Sequence, residues 1–190
     1  MTDSKKLNGK KVAILATDGF EQSELFKPRQ ALLDAGASVD VVSLASGSIT
    51  GWDSDNWGDS IAVDKVVTDV SASDYSALLL PGGLFNPDAL RANKDAVKFV
   101  QGFFNEGSVK PVAAICHGPW MLVEAGVARG RKMTSFPSIQ TDLKNAGAHW
   151  VDEEVVVDNG IVTSRNPDDI PAFNRKMIEE FCEGRHTEAA

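Results

Sequence analysis

Three short runs, Lys11-Val-Ala-Ile-Leu-Ala-Thr17, Ala77-Leu-Leu-Leu80 and Val112-Ala-Ala-Ile-Cys116, are apolar throughout their interiors, with no polar residue at alternate positions. A strand with one wet face alternates apolar and polar side chains. A strand without alternation is covered on both faces, which is the condition of a mostly parallel sheet with helices on either side. Each run ends in a turn: Asp18-Gly19, Pro81-Gly82-Gly83 and His117-Gly118-Pro119.

The segments between these runs fit that architecture. Leu25, Phe26, Leu32 and Leu33 recur at roughly helical spacing, which predicts a first helix over Glu21 to Ala35 with Gly36 at its C-terminal cap. Val39 to Leu44 reads as the second strand, so the opening 44 residues form a strand, a helix and a strand in the order of a parallel crossover. Ala45 to Ser60, rich in Gly, Ser, Asp and Trp, predicts an excursion or hairpin at the sheet edge, with Trp52 and Trp57 as covering side chains. A helical pattern over Asp88 to Phe104 stops at Gly107, and His117-Gly118-Pro119 opens a helix to about Ala125. Val155 to Asp158 and Ile161 to Ser164, joined by Asn159-Gly160, predict a hairpin with a type I′ turn. Pro171 to Cys182 predicts the closing helix. The fold class expected is α/β, a doubly wound, mostly parallel sheet flanked by helices.

At 190 residues, 43% apolar and 24% charged, the chain fits one globular domain over residues 1–190, with residues 1–10 and 184–190 as flexible ends. The net charge of −8 repels phosphate backbones and anionic lipid, which argues against nucleic-acid and membrane partners. Lys5, Lys6, Lys10 and Lys11 read as a solvated lead-in to the first strand. The start lacks the apolar stretch of a signal peptide, and no window approaches a membrane span, so a cytoplasmic protein is expected.

Ala114-Ile115-Cys116-His117-Gly118 has the small-x-nucleophile-x-Gly spacing of a nucleophile elbow, where strand and helix backbones pass so close that only small flanking residues fit. Cys116 stands at the nucleophile position. A helix N-terminus favours its thiolate, while the same residue also fits as one more buried apolar side chain. His117 reads as a base or a cationic neighbour, or as a solvent-facing histidine. Glu21 follows the first strand on the sheet edge where ligands bind. It reads as a protonated partner of the thiolate, or as a favourable charge in the first helical turn. Gly82 and Gly83 bring backbone N–H groups to a developing oxyanion, or make a plain tight turn. Cys182 lacks an elbow and reads as structural. No phosphate loop, dinucleotide fingerprint or metal-ligand cluster is apparent, so no cofactor and no metal are expected.

Thr17-Asp-Gly-Phe-Glu-Gln-Ser-Glu-Leu25, Leu80-Pro-Gly-Gly83, Lys110-Pro-Val-Ala-Ala-Ile-Cys-His-Gly-Pro119, Ala125-Gly-Val-Ala-Arg-Gly-Arg-Lys132, Asn145-Ala-Gly147 and Val155-Val-Val-Asp158 together resemble the PfpI family of intracellular cysteine peptidase-like proteins, nearly end to end. The superfamily includes the parkinsonism-associated deglycase. The resemblance implies a flavodoxin-like, class I glutamine amidotransferase-like fold. It assigns Cys116 as nucleophile, His117 as its neighbour, Glu21 as protonated partner, and the amides of Gly83 and His117 as oxyanion donors. Where peptidase members take a glutamate from a neighbouring subunit to orient the histidine, this sequence has Asp88, within Asn86-Pro87-Asp88. A homodimer or larger homo-oligomer is implied.

The function expected is a stress-related cysteine hydrolase, acting on peptides or on small carbonyls and glycated groups as a glyoxalase or deglycase. A redox sensor or protein-protective factor working through oxidation of Cys116 is the alternative. A glutamine amidotransferase domain is disfavoured, because the late segment Arg165-Asn-Pro-Asp-Asp169 lacks a histidine and His149, beside Trp150, reads as a packing residue.

Overall fold

The computed structural model describes residues 5–105 and 108–187. The chain runs β1 (Lys11–Leu15), α1 (Gln22–Asp34), β2 (Ser38–Ser43), β3 (Ser48–Asp53), β4 (Asn56–Ala62), β5 (Lys65–Val66), β6 (Ala77–Leu80), α2 (Phe85–Arg91), α3 (Lys94–Gln101), β7 (Val112–Ile115), α4 (Trp120–Glu124), α5 (Gln140–Asn145), β8 (Val155–Asp158), β9 (Ile161–Ser164) and α6 (Ile170–Glu183). Seven strands form the main sheet in the order β8-β9-β7-β6-β1-β2-β5. Every pair is parallel except the β8–β9 hairpin at one edge.

The missing alternation in the strands has its cause in two cores. Ala13 and Leu15, Leu78 and Leu80, and Val112 and Ala114 point into one core with Leu90, Phe99, Met121, Leu122 and Leu143. Their immediate neighbours Val12 and Ile14, Leu79, and Ala113 and Ile115 point into the other with Leu25, Leu32, Phe173 and Met177. Successive side chains of a strand leave opposite faces, so a strand with both faces covered is apolar at every position.

The excursion after β2 is the β3–β4 hairpin, which joins the two-residue strand Phe20–Glu21 in a separate small sheet. Trp52 packs edge-on against Trp57 and against Phe85, at 5.4 and 5.8 Å between ring centroids. The helix expected over Asp88 to Phe104 is two helices. Asn93 breaks it, its side chain accepting from the amides of Asp95 and Ala96 to cap α3; Gly107 lies outside the described residues. Two places in the ends expected to be loose are pinned: Leu7 is fully buried, and His186 pairs with Val109 in an antiparallel bridge. No helix among the described residues is long and apolar enough to cross a membrane.

Chain direction across the sheet reverses between β1 and β6. From β1 the chain moves out to β2 and β5, then returns to β6 and proceeds the other way through β7 and β9. Open parallel sheets bind ligands in the crevice at such a point, beyond the carboxyl ends of the strands. The loops after β1, β6 and β7 meet there.

Candidate active site

Cys116 follows β7 directly and has φ +62°, left-handed for a residue with a side chain. The surroundings hold it there. Its N–H donates to Ser164 O (3.0 Å) and its carbonyl accepts from the Phe136 amide (2.8 Å). Gly118 is the steric condition of this elbow: a Cβ there would lie 2.4 Å from Leu80 O and 2.9 Å from Ile115 O. Strained backbone so overdetermined lifts one side chain into the crevice.

The carboxyl group against the thiol is that of Glu24, and here the structure corrects the expectation for Glu21. Glu24 is fully buried on α1, and its Oε2 accepts from the Gly82 amide at 2.8 Å. Oε1 is buried without a nitrogen or oxygen partner, which leaves the Cys116 side chain as the carboxyl's other hydrogen-bonding neighbour. Glu21 caps the start of α1, half-buried, with its Oε1 accepting from Ser23 Oγ at 3.1 Å. The buried stripe of α1 is Glu24, Leu25, Pro28 and Leu32. Glu24 shares the core side of Pro28 and Leu32 at i+4 and i+8, whereas Glu21 sits at the helix mouth. An acid standing on an apolar stripe was the signal in the sequence.

Burial pushes the Glu24 carboxyl up to about 8, and the nearby charge of Glu21 adds to the effect. The carboxyl therefore holds its proton at neutral pH. Burial also raises the Cys116 thiol, as does Glu24 when ionised, while the amides of Gly83 and His117 act in the opposite sense by donating to the sulfur. With Glu24 protonated its charge is gone and its O–H joins those two donors, so thiolate is favoured when the carboxyl carries the proton.

His117 Nδ1 lies 3.2 Å from Cys116 Sγ, and Nε2 lies 3.2 Å from Ser138 Oγ. A hydroxyl both donates and accepts, so Ser138 supports the imidazole in either tautomer. The ring stacks on Phe136 (4.8 Å, 24°) and meets Trp120 edge-on. Burial lowers the His117 pKa, which keeps the ring neutral around neutral pH. Ser138 went unnoticed in the sequence because it lies on a short turn, Pro137–Ile139, with no spacing tied to Cys116.

Gly82 and Gly83 are packed as close to the site as glycine allows. A Cβ on Gly82 would lie 2.5 Å from Glu24 Oε2 and 2.6 Å from Cys116 Cβ; Gly83 has φ +83°. Asn86, fully buried, ties two loops together. It donates to the carbonyls of Pro81 and Gly82 (3.1 and 2.9 Å) and accepts from the Thr17 amide (2.8 Å).

The structure thus brings together Cys116, His117 and the amides of Gly83 and His117. Asp88 is exposed on α2, and among the described residues no contact joins it to His117. Arg165 grips Asp169 through two nitrogens and also pairs with Asp152, so that late segment is a structural clamp. His149 is exposed and does not pack; Cys182 is exposed as well. Against the expectation of no metal-ligand cluster, Glu180, Glu183 and His186 converge far from the elbow.

A thiol presented from a strand end at the switch point of a parallel sheet places this molecule among α/β proteins with a cysteine elbow. The DJ-1/PfpI family profile matches residues 10–180, and the chain belongs to that family. It is 46% identical over 171 residues to protein/nucleic acid deglycase 2 of Escherichia coli (89% of this chain, 96% of that one). It is 45% identical over 171 residues to general stress protein 18 of Bacillus subtilis (90% and 96%). Among solved structures, Drosophila melanogaster DJ-1beta superposes with a TM-score of 0.80 at 31% identity, covering 91% of this chain and 90% of that one.

Proposed function

We propose that the protein is a stress-related cysteine enzyme that attacks electrophilic carbonyls through Cys116, acting on small reactive carbonyls and glycated groups as a glyoxalase or deglycase. The observation that carries the reading is the convergence on one sulfur of two backbone amides, a carboxyl group that holds its proton at neutral pH and an imidazole 3.2 Å away. Relatives named as a deglycase and as a general stress protein support it.

The first step forms a bond between Cys116 Sγ and the carbonyl carbon, and the carbonyl oxygen receives the displaced electron pair. Fixed amides of Gly83 and His117 stabilise that oxygen, and the proton it takes up arrives through His117, which can then move protons between oxygen and carbon. With an α-oxoaldehyde the adduct is a hemithioacetal; transfer of its carbon-bound proton to the neighbouring carbon gives a 2-hydroxy thioester, and water then adds to the thioester carbonyl and breaks the carbon–sulfur bond, releasing the hydroxy acid and the Cys116 thiol. Cleavage of a peptide would need the same thiolate and the same donors, with a thioester intermediate. Ser138 orients the imidazole from within the chain. Asp88 enters as a carboxylate that a second copy would bring, so a homodimer is part of the proposal.

The test is methylglyoxal consumption and lactate formation by wild type and Cys116→Ser, with a fluorogenic peptide assayed on the same preparations. Lactate formation that depends on Cys116 supports the reading. No turnover of either substrate, with a thiol that still oxidises readily, rejects it in favour of a redox role.

A further inference from the structure

The end of α6 carries a second set of chemical groups that the elbow does not use. Glu180 and Glu183 stand three residues apart on one face of the helix, and His186 follows just after its end. Their ligand atoms all lie within 4.8 Å of one another. His186 Nε2 is 3.0 Å from Glu180 Oε2 and 4.0 Å from Glu183 Oε2. Two ligands of a tetrahedral zinc ion keep about 3.4 Å between them, so the set needs only small side-chain adjustments to share a centre.

Two features distinguish this set from an ordinary surface cluster. Glu180 is buried, with 7% of its surface exposed, and both its Oε2 and His186 Nε2 are buried without a hydrogen-bond partner although they face each other. With the ring neutral, a carboxylate oxygen and a ring nitrogen 3.0 Å apart are the donors that a cation takes, in place of the ion pair that a protonated His186 makes with Glu180. The other feature is that the imidazole is seated. The His186 backbone exchanges two hydrogen bonds of 2.9 Å with Val109, and its ring lies over Gly160, where a Cβ would come within 2.8 Å of Cδ2. Glu183 is half exposed and opens the set to solvent, while Lys176, the nearest cation on the helix, is paired with Glu179 at 2.7 Å.

We infer that Glu180, Glu183 and His186 form a binding site for a borderline divalent transition-metal ion of the zinc type, which clips the chain's tail to the end of α6 and to the start of β7. One imidazole and two carboxylates suit zinc, whose remaining coordination position water would fill. The site lies at the opposite end of β7 from Cys116, so its role is to hold structure and not to take part in the elbow's chemistry.

Zinc ion alone, titrated calorimetrically into the full chain, tests the inference in wild type, Glu183→Gln and His186→Gln. Glu180 is left intact because it is buried. Cys116→Ser and Cys182→Ser serve as controls, since a thiolate would compete for zinc. The expected result is one ion per chain, with affinity at least about tenfold weaker in each ligand variant and unchanged in each serine variant. Zinc should also raise the melting temperature of wild type and leave that of His186→Gln unmoved. An absence of binding, binding unchanged in His186→Gln, or binding lost in either serine variant would overturn it.

Discussion

Glu24 and Cys116 are buried against each other, one on the first turn of α1 and the other at the end of β7, with Gly82 packed so closely between them that a Cβ there would touch both. The carboxyl and the thiol titrate as a pair. Desolvation raises both, and only one of them can be ionised without strong repulsion at that distance. A protonated Glu24 hydrogen-bonded to a thiolate is the arrangement in which two amide donors and one O–H face the sulfur.

The shift has a stability consequence with a definite sign. Between the ordinary carboxyl value of 4.5 and about 8, the folded chain holds a proton on Glu24 that the unfolded chain has lost. Stability therefore falls as pH rises through this window, by up to about 1.4 kcal/mol per pH unit. Glu24→Gln, in a Cys116→Ser background that takes the thiol out of the titration, should abolish this fall; urea melts at pH 5, 7 and 9 measure it. In the otherwise wild-type enzyme, activity should decline above about pH 8 as Glu24 ionises. Glu24→Gln keeps an N–H donor and should lose that decline, whereas Glu24→Ala should cost about 10²-fold in kcat.

Two groups compete to orient His117, and they separate by experiment. Ser138 is within the chain, 3.2 Å from Nε2, and Ser138→Ala should lower kcat about fivefold, the worth of one hydrogen bond, with KM little changed. That loss should not depend on protein concentration. Asp88 is exposed on α2, and the role proposed for it is to reach the imidazole of a second copy. Asp88→Asn should then lower kcat about tenfold, and wild-type activity per chain should fall on dilution. Activity of Asp88→Asn equal to wild type at every concentration would reject the role given to Asp88.

The central sheet was legible in the sequence because strands covered on both faces leave an unbroken apolar run, and the elbow was legible because Gly118 has no space for a side chain against Leu80 and Ile115. What escaped had no periodic signal. α5 buries a single residue, Leu143, so its six residues show no stripe. Ser138 and Asn86 act through contacts between segments remote in sequence, which no local pattern encodes. The exchange of Glu21 for Glu24 is different in kind: both acids follow β1, and which one enters the core depends on the rotation of α1, set by its buried face of Leu25, Pro28 and Leu32.

Gly82→Ala should separate damage to the site from damage to the fold. The added Cβ would lie 2.5 Å from Glu24 Oε2, 2.6 Å from Cys116 Cβ and 2.8 Å from Ile115 O. None of these is the free end of a flexible side chain in open space, so the loop or the carboxyl must move. A cost of about 1–3 kcal/mol is expected, together with slower alkylation of Cys116 by iodoacetamide at neutral pH as the Glu24 hydroxyl is displaced from the sulfur. Reactivity that stays at the wild-type level would show that Glu24 does not control the thiol.

Asn86 is where the stability of the fold and the geometry of the site coincide. Its side chain makes three hydrogen bonds with no water access, to Thr17 after β1 and to Pro81 and Gly82 after β6, and so fixes the two loops that carry Glu21 and Gly83. Asn86→Leu has similar volume but leaves the Thr17 N–H and the Pro81 carbonyl without partners, each costing about 1–3 kcal/mol, while the Gly82 carbonyl keeps the Glu21 amide. Asn86→Asp keeps the acceptor for Thr17 and sets a buried carboxylate against two carbonyls, which is worse electrostatically though smaller in shape change. Both should destabilise the chain, the aspartate more at pH 8 than at pH 5, because acid protonates the carboxyl and restores a donor. Thermal melts at the two pH values check the order. A leucine variant as stable as wild type would mean that the loops are held by their glycine packing alone.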